Sequence, residues 1–310
     1  MIKKKIVILG ATSHIAKGLI CNFSRENKNK LFLYARSPEK VNDFLKANGL
    51  KGEIGFIGLD DLARKEYDFV INCIGIGTPN KVRDNPSLIF SITEEYDKIL
   101  MRYLSKFTKS RCINFSSGAA YGACFNEPVG DSFLRKIAVN NINSQEYYGL
   151  AKINSEAKHR AQKELAIVDI RVFSYFSRFI DLDGGYFLTE LIKSIKQRDQ
   201  FITNSCDFVR DYLHPHDLFN LVKLILASKP FNAAIDAYAQ APVTKFELLD
   251  YFSKTYGLKY KTEEKLDLVC PTGVKSVYCS NSKKAFKLVG YNPEYSSIRT
   301  VTEEAEFLLR

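Results

Sequence analysis

A chain that opens with a short apolar run, a glycine and then a helical repeat has few folds open to it. Residues Lys5–Leu9 are apolar from Ile6 onward, and the run stops at Gly10. Apolarity on both faces suits a strand buried within a parallel sheet, since a strand with one wet face would alternate. Ile15, Leu19, Ile20 and Phe23 then fall on one side of a helix. Apolar runs recur at Leu31–Tyr34, Ile54–Leu59, Asp68–Gly77, Cys112–Phe115 and Val168–Phe173, and a long helical pattern fills Ser87–Thr108. Strands that alternate with helices predict an α/β fold, a doubly wound parallel sheet with right-handed crossovers.

The turn after the first strand has a chemical use. Gly10-Ala11-Thr12-Ser13-His14-Ile15-Ala16 leads from strand to helix, and a helix N-terminus offers unpaired backbone N–H groups to an anion. That is the setting of a dinucleotide pyrophosphate in a Rossmann-type fold. Only Gly10 of the usual three glycines is present; Ser13 and Ala16, both small, take the other places. Gly10, Thr12, Ser13, His14 and Ile15 are the expected cofactor contacts in this loop. The second strand ends at Ala35-Arg36-Ser37-Pro38, without the acidic residue that would accept the ribose 2′-hydroxyl of NAD. Arg36 and Ser37 can hold a 2′-phosphate instead, which favours NADP(H) over NAD(H). Ser37 also reads as a cap for the helix that Pro38 begins. Asp60 suits the adenine amino group, and Cys73-Ile74-Gly75 lets backbone approach the cofactor.

With 310 residues, 45% of them hydrophobic and 26% charged, the chain can bury a large core. No stretch nears the ~18 consecutive apolar residues of a membrane span. The seven cysteines are odd in number, widely spaced and without a Cys-x-x-Cys pair, and the four histidines do not cluster. This argues for reduced thiols in the cytoplasm and against a metal site. The net charge of +10 favours anionic partners, but the lysines are scattered and form no stripe with aromatics. A phosphate-bearing small substrate is expected, and nucleic acid is not.

Of the seventeen tyrosines only Tyr148 has a lysine four residues on, Lys152. On a helix the two share a face, and an ammonium beside a phenol makes a workable acid/base pair. Upstream, the fifth strand runs into Ser116-Ser117-Gly118-Ala119-Ala120-Tyr121-Gly122. Further on stands Phe208-Val209-Arg210-Asp211-Tyr212-Leu213-His214-Pro215-His216-Asp217-Leu218. Taken in order with the Gly10 loop, these motifs resemble the extended short-chain dehydrogenase/reductases, the family of nucleotide-sugar epimerases, dehydratases and ketoreductases. The resemblance covers nearly the whole chain. It implies residues 1–172 for the dinucleotide and a smaller C-terminal lobe, 173–310, mainly for substrate. The strand near Ala234–Ala239 is a candidate to rejoin the large sheet. A homodimer through the helices Ser87–Thr108 and Ser144–Lys163 is implied as well.

By the same resemblance Ser117 matches the serine that hydrogen-bonds the oxygen on the reacting carbon. Tyr148 matches the proton donor or acceptor on that oxygen, and Lys152 the residue that assists it and holds the nicotinamide ribose. Tyr148 follows Ser117 by 31 positions, more than the family usually shows, which predicts an extra loop near Val129–Asn143. Dehydratases of this kind carry Asp-Glu where this chain has Gly118-Ala119, and reductases that epimerise first carry a cysteine in place of Ala119. Hydride transfer at one carbon remains. With Arg36, the expected activity is NADP(H)-dependent reduction of a nucleoside-diphosphate-linked 4-keto-sugar. The alternatives are a 4-epimerase or 4-dehydrogenase with tightly bound NAD, and a non-catalytic NADP(H)-sensing protein. Arg210 matches a position that contacts the substrate diphosphate, and Tyr175 and Arg178 lie in loops expected to shape the substrate site. His214 and His216 are expected to serve packing.

Overall fold

The computed structural model describes residues 3–264 and 275–310, so of the seven cysteines Cys270 lies outside the described residues. The first half runs β1 (Lys4–Leu9), α1 (His14–Glu26), β2 (Asn29–Tyr34), α2 (Pro38–Ala47), β3 (Ile54–Phe56) and α3 (Leu59–Leu62). It continues with β4 (Phe69–Asn72), α4 (Pro79–Asp84), α5 (Leu88–Lys106), β5 (Arg111–Ser117), α6 (Ser144–Ala161) and β6 (Ile167–Val172). Next come β7 (Ser174–Tyr175), α7 (Phe187–Gln197), β8 (Phe201–Asn204), β9 (Val209–Arg210), β10 (Tyr212–Leu213), α8 (Pro215–Ala227) and β11 (Ala233–Ala237). The chain closes with β12 (Val243–Thr244), α9 (Lys245–Tyr256), β13 (Tyr260–Glu263), β14 (Val277–Tyr278), α10 (Lys284–Val289) and α11 (Ser297–Leu309).

Seven strands form one parallel sheet in the order β11-β6-β5-β4-β1-β2-β3. The unbroken apolar run of β1 follows from cover on both faces. Ile6 and Ile8 pack with Leu19 and Phe23 of α1 and Leu221 and Ile225 of α8, while Val7 and Leu9 pack with Leu100 and Leu104 of α5. Strand order reverses between β1 and β4, so the crevice beyond their C-terminal ends is the switch point where such sheets take ligands. Strand β4 stops at Asn72, earlier than the apolar run suggests, because the Asn72 side chain accepts the N–H of Ile74 and turns the chain. Strand β3 is likewise shorter, since α3 begins at Leu59 and carries Asp60.

The remaining residues build a smaller lobe with its own core, which includes Phe176, Leu191, Leu248, Phe252 and Val301. Helix α9 starts at a capping box in which Thr244 and Glu247 each bond the other's backbone N–H. Arg178, expected to face the substrate, ties this lobe to its last helix instead. Its guanidinium bonds Glu304 at 2.6 Å and lies 3.2 Å from the centre of the Phe307 ring, and its backbone N–H donates to the same carboxylate. Among the described residues no helix is long and apolar enough to cross a membrane.

Candidate active site

The cofactor end of the crevice is set by two turns that touch. Gly10 adopts φ +76°, and a Cβ there would lie 2.9 Å from Ile74 and 3.1 Å from the Cys73 carbonyl. Only glycine lets the β1 turn close so tightly onto the end of β4. Ser13 caps α1 by accepting the Ala16 N–H, which leaves the N–H groups of His14 and Ile15 without intrahelical acceptors. Those two N–H groups, the helix end and the close backbone fit a dinucleotide pyrophosphate. The side chains behave otherwise. The His14 ring turns inward, bonding Ser177 Oγ at 2.7 Å, and burial pushes its pKa down to about 3. It contributes backbone here, not a charge.

Tyr175, from a loop expected to shape the substrate site, stands beneath His14. Its ring meets His14 edge-on at 4.7 Å, and its hydroxyl fills the place of the missing Gly18 side chain, where a Cβ would be 2.1 Å away. Arg36 and Asp60 are exposed, and Ser37 makes no capping bond with its side chain although Pro38 does begin the helix.

At the reacting end, Ser117 closes β5 and accepts the Ala119 N–H, starting a single 3-10 turn at Gly118–Tyr121. Tyr148 and Lys152 share a face of α6. Lys152 is buried, its ammonium 5.7 Å from the Tyr148 ring centre and 2.9 Å from the Phe115 carbonyl it bonds. The ammonium also lies 3.6 Å from where a Gly75 Cβ would stand, in contact range of the turn that follows β4. Helix α6 seats against the turn through Gly149, whose Cβ would be 2.2 Å from the Ala119 carbonyl. Gly118 has no room for a side chain either, with the Phe173 ring 2.5 Å from its Cβ position. A dehydratase-type acid cannot be fitted at that position without moving Phe173.

This frame has known relatives. The sequence profile of the NAD dependent epimerase/dehydratase family matches residues 6–261. The chain belongs to this family. Among solved structures, a UDP-glucuronic acid 4-epimerase variant from Bacillus cereus, in complex with a fluorinated UDP-glucuronic acid and NAD, superposes with a TM-score of 0.82. It is 17% identical, over 98% of each chain. A UDP-N-acetylglucosamine 4-epimerase from Methanobrevibacter ruminantium gives 0.79 at 17% identity, over 100% of this chain and 99% of that one. A dTDP-glucose 4,6-dehydratase from Streptomyces venezuelae with NAD bound gives 0.79 at 13% identity, over 98% and 97%. The fold is thus that of the NAD-dependent epimerase/dehydratase family throughout the chain.

Two tyrosines of this family member close the site and escaped the sequence reading. Tyr278 of β14 shares a 3.2 Å hydrogen bond with Ser117 Oγ. Burial pushes its phenol well above the ordinary value, and Tyr148 adds to the rise. Beside it on β9 stands Arg210, its guanidinium 5.9 Å from the Tyr278 ring centre. Tyr186 bonds the Gly77 carbonyl at 2.5 Å, and its phenol is raised by burial and then by Tyr148. Nothing local marks either tyrosine; only the fold brings them 161 and 109 positions back along the chain. Tyr278→Phe keeps the ring and removes the Ser117 contact. Steady-state kinetics should show kcat/KM lowered about fivefold to tenfold, the worth of one neutral hydrogen bond. Unchanged kcat/KM would mean the contact plays no part in turnover.

Proposed function

We propose that this protein is a nucleotide-sugar 4-epimerase that keeps NAD(H) bound through turnover. The observation that carries this is a clasp over the crevice. Asn80 donates to the Asp183 carbonyl at 2.9 Å and Tyr186 to the Gly77 carbonyl. Gly185, at φ +77°, lets its backbone lie against the Asn80 side chain, which a Cβ would meet at 2.5 Å. On the far side Phe44 of α2 meets Phe179 edge-on at 5.2 Å. These contacts tie the lobes together beside the crevice, and slow release of a bound dinucleotide suits an enzyme that must return its own hydride and gains nothing from exchanging cofactor. The similar proteins bind NAD, and the NADP(H) preference read from Arg36 gains no support from them. Among the described residues Arg36 holds no ion pair; a guanidinium there can stack on an adenine plane without any 2′-phosphate.

On this reading Tyr148 takes the proton from the sugar 4-hydroxyl and later returns it, while Ser117 donates a hydrogen bond to the same oxygen. The bound nicotinamide supplies the site where hydride is held between the two half-reactions. Lys152 holds the tyrosine face of α6 against β5 and presents its charge towards the crevice. Arg210 is the candidate for the substrate diphosphate, because a guanidinium forks onto phosphate. The same reading gives residues 1–172 to the dinucleotide and 173–310 mainly to the sugar nucleotide. The test begins with denaturing the purified protein and identifying what it releases. NAD(H) near one per chain, no preference for added NADPH, and conversion of a UDP-hexose to its C4 epimer without added cofactor are expected. Exchangeable NADPH whose binding weakens in Arg36→Ala would return the ketoreductase reading.

A further inference from the structure

One short stretch of chain fastens the two lobes to each other. Past β6 the side chains of Tyr175 to Phe179 go to alternate sides. Tyr175, Ser177 and Phe179 meet the dinucleotide half. The Tyr175 hydroxyl sits in the Gly18 slot of α1, Ser177 Oγ lies 2.7 Å from His14 Nε2, and Phe179 meets Phe44 of α2. Phe176 and Arg178 meet the smaller lobe, the first within its core and the second on Glu304 of α11. The same stretch starts beside β10, with Ser174 opposite Tyr212 and Tyr175 opposite Leu213. Strand β10 begins two residues after Arg210, the candidate for the substrate diphosphate.

His14 is where this stretch reaches the cofactor turn. Its backbone N–H is one of the two left without an intrahelical acceptor at the start of α1, while its ring bonds Ser177. Ser177 is fully buried, and its Oγ also accepts the Phe179 N–H at 3.3 Å, so the hydroxyl is held from two directions. A purely apolar ring at position 14 could pack on Tyr175 as well as imidazole does. The ring nitrogen adds a bond with a fixed distance and direction, which sets the turn against the stretch that both lobes grip. We propose that His14 is a positioning residue, which couples retention of the dinucleotide to the seating of the substrate lobe through its bond to Ser177. The inference rests on the cofactor reading above in one respect, that the pyrophosphate lies at the His14 and Ile15 N–H groups.

Two variants of the full chain, His14→Phe and Ser177→Ala, and their combination test this. The first keeps a ring against Tyr175 and removes the bond; the second removes one oxygen. Mass spectrometry follows the rate at which isotopically labelled NAD replaces the bound nucleotide, or labelled NADP if that is what the parent carries. Each single variant should exchange about fivefold faster, the net worth of one neutral hydrogen bond, and the double variant no faster than either. Ser177→Ala should also raise KM for a UDP-hexose about fivefold while kcat stays within about twofold. Exchange at the parent rate in both single variants, even with a lowered melting temperature, would make the contact structural only and overturn the proposal. So would effects that multiply to about 25-fold in the double variant, or a kcat that falls with KM unchanged. A parent carrying exchangeable NADPH would overturn the epimerase reading instead, and the same rates would still decide the role of His14.

Discussion

Tyr148→Phe should lower kcat by about a hundredfold to ten-thousandfold, the range of a lost general acid/base, while the dinucleotide stays bound. The substitution removes one oxygen and keeps the ring. The aromatic face 5.7 Å from the Lys152 ammonium survives, as does the bond from that ammonium to the Phe115 carbonyl. Helix α6 should therefore seat unchanged, because Gly149 and not Tyr148 makes its close contact with the Ala119 carbonyl. Two measurements separate the outcomes: turnover of a UDP-hexose by NMR, and the nucleotide released on denaturation. Lost turnover with undiminished nucleotide supports Tyr148 as the proton carrier. Turnover within tenfold of the parent would remove it from that role and leave the buried Tyr278, which reaches Ser117, as the residue to change next. A protein that only senses a dinucleotide would show no turnover in the parent either.

How far the chain could be read in advance depended on how local each signal is. The sheet was open to reading because strands buried on both faces must be apolar without a break, as Ile6–Leu9 are, whatever they pack against. The acid/base pair was open because both members sit on one helix. The smaller lobe was not: β7, β9, β10, β12 and β14 have two residues each, too few to show a period. Side-chain partners were hidden for a related reason. Arg178 reads as a residue of a substrate-site loop until Glu304, 126 positions away, takes its guanidinium. Tyr175 reads as a residue of a substrate-site loop until Gly18 leaves it a slot in α1. A glycine inside an otherwise good helical pattern was the available signal, since it is costly there unless something packs against it. His214 is the reverse case: it packs as expected, stacked 3.7 Å from Tyr295 while its Nδ1 accepts the His216 N–H that begins α8.

His159→Gln should cost about 3 kcal/mol at pH 6 and flatten the stability profile between pH 6.5 and 9. His159 is fully buried on α6 between two carboxylates, with Nε2 2.7 Å from Asp97 and Nδ1 2.9 Å from Asp169. Burial alone would drive the charge off; the bonds to Asp169 and Asp97 outweigh it and raise the pKa from 6.5 to about 9. Lys158 also pairs with Asp97, and Arg160 with Asp169 at 3.0 Å, so neither acid depends on His159 alone. Because the folded value lies above the unfolded one, the contribution is complete below pH 6.5 and falls away as pH rises through about 9. The interval from 6.5 to about 9 corresponds to about 3.5 kcal/mol at full effect, of which about 3 is realised at pH 6, where part of the unfolded histidine is still neutral. The histidine also bears on the site. Asp169 accepts from Asn114 at 2.7 Å, Asn114 accepts from Asn72 at 2.9 Å, and Asn72 holds the Ile74 N–H where the β4 turn meets Gly10. Urea unfolding of parent and variant at pH 6 and pH 9.5 reads the first effect, and retained nucleotide reads the second. A parent as stable at pH 9.5 as at pH 6, or a variant with the parent's full slope, would show that His159 is not charged in the folded protein. If the slope is lost but the nucleotide stays, the asparagines hold the β4 turn without help from His159.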